Sequence, residues 1–108
     1  MSFPVFLTAD AASDLEDLYH YITLHDSPKK TEYVLSKIEK TLWSLSESPE
    51  RGAYPKELLA LGIRDYREIF FKPYRLIYRI KGDIVYVLLI VDGRRDMQTL
   101  LQRRLFVH

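Results

Sequence analysis

Cysteine is absent from these 108 residues, which excludes disulfides, thiolate metal sites and a cysteine nucleophile. Glycine is scarce at four positions, and none forms part of a phosphate-cradling loop or a serine nucleophile elbow. Arginine is missing from the first half: all nine arginines lie beyond residue 50. Long apolar runs are missing too, the longest being the eight residues Ile84 to Val91, far short of a bilayer span. Met1-Ser2-Phe3-Pro4 lacks a basic stretch leading into an apolar one, so no secretory signal is expected. The expected location is the cytoplasm, with no membrane partner.

What is present is an uneven charge distribution. Residues 1–50 carry four Lys against nine Asp and Glu, a net of −5. Residues 51–108 carry twelve Lys and Arg against six acids, a net of +6. The overall charge of +1 hides this dipole. Guanidinium groups suit carboxylates and phosphates because their planar fork donates two parallel hydrogen bonds. Hydrophobic residues make up 47% of the chain, enough for one core, and the length suits a single domain spanning residues 1–108.

Phe3 to Leu7 is a β-prone run, with Pro4 at its beginning. Thr8 then offers a helix cap, and Ala11, Leu15, Leu18, Tyr19 and Ile22 follow at helical spacing. Ser27-Pro28 opens a second helix with Val34, Ile38, Leu42 and Leu45 on one stripe, widened by Leu35 and Trp43, and Pro49 ends it. So short a link predicts an antiparallel helix hairpin. Three strand-like runs follow, Tyr66–Phe71, Tyr74–Ile80 and Ile84–Val91, joined by links short enough to force antiparallel pairing. Asp96 caps a last helix with Met97, Leu100, Leu101 and Leu105 on one side. The fold class is therefore α+β, ordered β-α-α-β-β-β-α, with an antiparallel sheet of about four strands and the hairpin on one face.

Parity divides the middle strand: Leu76, Tyr78 and Ile80 point one way, Arg75, Ile77 and Arg79 the other. Burying unpaired arginines is costly, so the Arg75 and Arg79 side is expected to be open. Arg67, Arg75 and Arg79 either grip phosphates or carboxylates of a partner, or pair locally with Glu68, Asp65 or Asp92. Asp92-Gly93-Arg94-Arg95-Asp96 crowds four charges at one corner. Arg103 and Arg104 suit a helix C-terminus. Tyr66, Tyr74, Tyr78 and Tyr86 interleave with the arginines, either to stack on bases or to fill the core with the hydroxyl facing water. Of the three histidines, His20 and His25 read as surface residues. His108 is a candidate general acid or base. No histidine has a ligand partner at helical spacing, and no metal or other cofactor is expected.

The strings Tyr66-Arg67-Glu68-Ile69, Tyr74-Arg75-Leu76-Ile77-Tyr78-Arg79-Ile80 and Val91-Asp92-Gly93-Arg94-Arg95-Asp96 resemble the RelE/ParE superfamily of bacterial toxins. Ala9-Asp10-Ala11-Ala12-Ser13-Asp14-Leu15 and Pro49-Glu50-Arg51-Gly52 agree, so the resemblance covers nearly the whole chain. It implies the toxin of a type II toxin–antitoxin pair, associated with plasmid stabilisation and neutralised by a cognate, ParD-like or other antitoxin. Two targets divide the superfamily. RelE-like members resemble ribosome-dependent mRNA endonucleases, and on that reading Arg75, Arg79 and His108 are the catalytic candidates. ParE-like members poison DNA gyrase without cleaving nucleic acid. The last strand ends in Asp92-Gly93-Arg94-Arg95 with no His or Tyr to move protons, and the helix after it resembles the element tied to ParE toxicity. The expectation is thus a gyrase-directed binder whose target contacts come from Arg67, Arg75, Arg79, Arg94, Arg95, Asp96, Leu100, Leu101, Arg103, Arg104 and Leu105.

Overall fold

The computed structural model describes residues 2–106. Along the chain lie β1 (Val5–Leu7), α1 (Ala9–His25), α2 (Pro28–Glu47), α3 (Lys56–Leu59), β2 (Arg67–Phe71), β3 (Tyr74–Lys81), β4 (Ile84–Asp92) and α4 (Met97–Leu105), with a 3-10 turn at Pro49–Arg51. The helix starts follow from local chemistry. Thr8 Oγ1 accepts from the Ala11 N–H at 3.2 Å, Ser27 Oγ from Lys30 at 3.1 Å, and Asp96 Oδ1 from Thr99 at 3.2 Å. Each bond satisfies a donor that the first helical turn leaves orphaned.

The sheet order is β1-β4-β3-β2, and it is mostly antiparallel. The exception is β1, which runs parallel to β4 with Val5 opposite Val85 and Leu7 opposite Val87. Parallel neighbours need a long crossover, and the intervening helices and strands provide it. The α1–α2 hairpin lays Ala11, Ile22, Val34, Ile38, Leu42 and Leu45 on a sheet face made by Ile69, Leu76, Tyr78, Val85, Val87 and Ile90.

The opposite face is not open, contrary to the parity argument. Leu58 of α3 and Met97 and Leu101 of α4 pack there against Ile77, Leu89 and Val91. A register shift at Ile77/Tyr78 leaves Leu88 of β4 without a cross-strand counterpart. This bulge turns Val85, Val87 and Ile90 toward the hairpin while Leu89 and Val91 face α4. The unbroken apolar run of β4 is what burial on both faces requires, since an alternating strand would expose one side.

Tyr78 ties the sheet to the loop after α2. Its hydroxyl donates to the Pro49 carbonyl at 2.6 Å and accepts from the Gly52 N–H at 3.0 Å. A Cβ on Gly52 would lie 2.5 Å from that hydroxyl oxygen and 2.7 Å from the Glu68 carbonyl, so this glycine is there for room. Among the described residues, no helix is long and apolar enough to cross a membrane.

Candidate target-binding face

The arginines expected to act together are distributed by the fold into different tasks. Arg67 pairs across the ladder with Tyr78 and so joins the hairpin side of the sheet. Its guanidinium donates to the carbonyls of Glu50 at 3.2 Å and Gly52 at 2.9 Å, and lies 4.7 Å from the Tyr54 ring centre. It staples the loop and has little left to offer a partner.

Arg75 is the main correction. Expected on an open face, it is only 8% exposed. Its fork grips Glu57 of α3 through Nη1 at 2.7 Å and Nη2 at 2.8 Å, while Nε donates to Glu68 at 2.8 Å. Burial of a guanidinium is prohibitive only when unpaired, and here two carboxylates satisfy it. Hydrogen bonding from Arg75 holds the Glu57 carboxyl below its usual range. Burial pushes Glu68 upward, and the neighbouring Glu57 adds to that. The Arg75 guanidinium itself is held more firmly protonated, chiefly by its bonds to Glu57. Gly93 completes the arrangement: a Cβ there would come within 2.8 Å of the Arg75 stem, so glycine follows β4 to let that side chain pass.

Arg104 is the second correction. Rather than serving as a free cation at the end of α4, it forms an ion pair with Asp14 of α1 and donates to the Leu88 carbonyl at 3.0 Å. The other Asp14 oxygen accepts from the Ile90 N–H at 3.0 Å. The three-residue β1 stops opposite Val87, so the edge of β4 beyond it would otherwise present unpaired backbone. Asp14 and Arg104 close that edge at the bulge. Burial raises the Asp14 pKa, with the Ile90 and Arg104 hydrogen bonds opposing it. Leu101 is 1% exposed and belongs to the core, and Leu100 and Leu105 are packed against the same cluster. These leucines dock α4; Leu101 is wholly in the core, while Leu100 and Leu105 are only partly buried.

What remains accessible is a smaller cationic face. Arg95, in the turn before α4, and Arg103, on the outside of α4, are exposed and line a shallow cleft of about 170 Å³ with Asp96, Thr99 and Leu100. Neither makes an ion pair among the described residues. Arg79 is half-buried in the same layer, 5.4 Å from the Tyr66 ring centre, and its Nε–H has no partner among the described residues. Arg94 is largely exposed but folded back on Asp92, with Nε 2.9 Å from Oδ1. That hydrogen bond holds the Asp92 carboxyl below its ordinary value. Asp96 is held low by its bonds from Thr99 and serves as the cap of α4. His108 lies outside the described residues. His20 and His25 are exposed on α1, where His25 stacks on Tyr21 at 4.2 Å.

The face can therefore attract and orient anionic groups. Among the described residues no cluster of His, Asp and Glu is placed to hold a metal ion. Of the arginines' carboxylate partners, sequence reasoning had Glu68 among its local candidates, and Arg75 does bond it, but it missed Asp14 and Glu57. The signal for Asp14 was its position three residues after Ala11 and four before Leu18, on the border of the apolar stripe.

The family model described as "ParE toxin of type II toxin-antitoxin system, parDE" matches residues 5–97, from β1 to the first residue of α4. Toxin ParE3 of Caulobacter vibrioides is 27% identical over 100 residues, covering 93% of this chain and 96% of that protein. The solved chromosomal ParDE system of P. aeruginosa superposes with a TM-score of 0.71 at 22% identity, over 84% of this chain and 96% of the other. The RelBE2 toxin–antitoxin complex of Mycobacterium tuberculosis gives 0.59 at 22% identity, over 85% and 92%. A free-state mutant of E. coli toxin RelE gives 0.61 at 18% identity, over 93% of each chain. The extent of the family match, from the first strand through the docked meander, shows that the chain belongs to the ParE toxin family of type II toxin–antitoxin systems.

Proposed function

We propose that this toxin acts by contact, inhibiting DNA gyrase through the exposed surface of α4, and that a cognate antitoxin neutralises it. The observation that carries the reading is the pair Arg95 and Arg103, exposed beside one cleft formed by α4 and the turn that leads into it, with the other side of α4 anchored in the core. Cations without intramolecular partners on a rigid support favour an anionic macromolecular surface, because little side-chain pairing must be broken on binding. Titrating the protein into a gyrase supercoiling reaction tests this. Supercoiling falls with the wild-type chain and recovers with Arg95→Glu/Arg103→Glu. Full supercoiling at saturating wild-type protein eliminates the proposal.

One observation favours a second reading, a ribosome-dependent mRNA endonuclease: the unpartnered N–H of Arg79 over Tyr66 suits a phosphate oxygen. On that reading, primer extension on translated message shows cuts that disappear in Arg79→Ala. Message left intact in expressing cells removes it.

A further inference from the structure

α4 forms a ridge between two clefts. On one flank Thr99 and Arg103 line the cationic cleft that Arg95 completes. On the other, Gln98, Gln102 and Phe106 follow at four-residue steps and face α3 across a second cleft of about 340 Å³. Leu58 and Leu101, both almost fully buried, form its floor. Leu61 and Phe106, 62% and 48% exposed, stand at its rim.

Glu57 gives this second cleft its charge. The carboxylate lines the wall, and behind it lie Arg75 and Glu68, a group with a net charge of −1. Arg75 takes one lone pair of each Glu57 oxygen, at 2.7 and 2.8 Å, and each oxygen has a second to give. Lys56 also acts on both acids, but more weakly than Arg75 and from an exposed position on α3. The side-chain amides of Gln98 and Gln102 can each add an acceptor carbonyl. Apolar walls with acceptors and excess negative charge at the base fit a long aliphatic stem that ends in a cation. The same lining repels a phosphate or a carboxylate.

We propose that the cleft between α3 and α4 receives one Lys or Arg side chain of the target protein, while Arg95 and Arg103 across the ridge hold one of its acidic groups. The target then presents a basic and an acidic side chain about one helix diameter apart, roughly 10–12 Å. Two clefts of opposite sign fix the direction of docking as well as its register. A partner turned end for end meets like charge on both flanks, and that repulsion rejects the wrong pose. The proposal rests on the reading of α4 as the target-binding element and names what the target must offer it.

The cleft is tested on the full chain with n-butylguanidinium, read by NMR at the Gln98 and Gln102 side-chain amides and the Leu61 and Leu101 methyls. Saturable shifts are expected, with a Kd on the order of 10 mM for so small a ligand. Neutral n-butanol and anionic butanesulfonate are expected to give no saturable shift. Gln102→Lys sets a tethered ammonium at the mouth and is expected to weaken probe binding about tenfold, whereas Gln102→Glu tightens it about threefold. Gln98→Lys and Gln98→Glu repeat the change of sign from a second exposed position, and thermal melts check that the variants fold. In the supercoiling reaction, Gln102→Lys is expected to raise the concentration for half inhibition about tenfold, although added positive charge would help a purely basic face. Shifts that do not saturate, or that n-butanol reproduces, overturn the cleft and leave the gyrase reading standing. Probe binding that follows the charge at position 102 while inhibition does not overturns the assignment of the target's cation to this cleft. Wild-type protein that leaves supercoiling intact overturns the gyrase reading and this placement together. A doubling of mass that Gln102→Lys abolishes assigns the cation to a second copy and likewise overturns the proposal.

Discussion

One guanidinium between two carboxylates carries a net charge of −1, and nearly all of it is out of water at Arg75, Glu57 and Glu68. Removing the cation alone leaves two desolvated acids facing each other, so Arg75→Ala is expected to cost about 3–5 kcal/mol. Replacing all three with apolar residues of similar volume is expected to cost far less. Urea denaturation of the two variants separates a lost ion pair from lost packing. The same cluster sets a pH signature. Glu57 has a lowered pKa, so its stabilisation is complete above its ordinary value of 4.5 and is lost as pH falls through the lower folded value. Glu68 has a raised pKa, so the folded state holds its proton more tightly and its contribution runs the other way. Glu68→Gln removes the opposing slope, and the variant is expected to lose stability on acidification more steeply than the parent. Urea titrations at several pH values between about 3 and 6 measure that slope. A profile unchanged by the substitution contradicts the assignment. At Gly52 the limit is space, and Gly52→Ala is expected to cost about 1–3 kcal/mol by forcing Tyr78 from its two hydrogen bonds.

At the scale of elements, α4 is nine residues long and too short to be stable in isolation. Its apolar side docks Met97 and Leu101, and Arg104 locks its end to Asp14 and Leu88. Arg104→Ala is expected to destabilise the chain by about 1.5–3 kcal/mol, because a mostly buried carboxylate loses its charged partner. Arg103→Ala, one position away and exposed, is expected to stay within about 0.5 kcal/mol of the parent. Amide exchange gives a specific readout: the Ile90 N–H, bonded to Asp14, should exchange faster in the first variant and not in the second. Helices, caps and strands were legible in the chain because they follow from neighbours a few residues apart. The three N-caps at Thr8, Ser27 and Asp96 stand where capping chemistry puts them. What closes the second face was not legible. Glu57 lies 18 residues from Arg75, and Asp14 lies 90 from Arg104. No local pattern joins residues so far apart, and the four-residue α3 that brings Glu57 in has too little periodicity to stand out in a loop-rich stretch. The candidate site suffered most: parity assigned Arg75 and Arg79 to one face correctly, but the cost of burying unpaired arginines then argued for an open face, whereas α3 and α4 cover it and Glu57 and Glu68 pair Arg75.

For the whole molecule, the charge dipole survives folding in reduced form. The hairpin half is acidic and the sheet half basic, but Arg75, Arg94 and Arg104 are consumed in ion pairs and Arg67 by backbone carbonyls. The exposed positive field of the sheet half comes from Arg51, Lys56, Arg64, Lys72, Lys81, Arg94, Arg95 and Arg103, of which Arg95, just before α4, and Arg103, on it, flank one cleft. Fields of this kind govern how fast a charged partner is captured more than how long it stays, and salt screens them over about 8–10 Å. Measured against immobilised gyrase at low salt, Arg95→Glu/Arg103→Glu is expected to slow association about tenfold or more with a smaller change in dissociation. Raising the salt should bring the two association rates together. Arg75→Lys serves as the comparison, since it perturbs a buried arginine of the same basic half without altering surface charge. A variant pair whose rates differ equally at low and high salt would place the effect in short-range contacts, and the sheet-half charge would then be a matter of solubility alone.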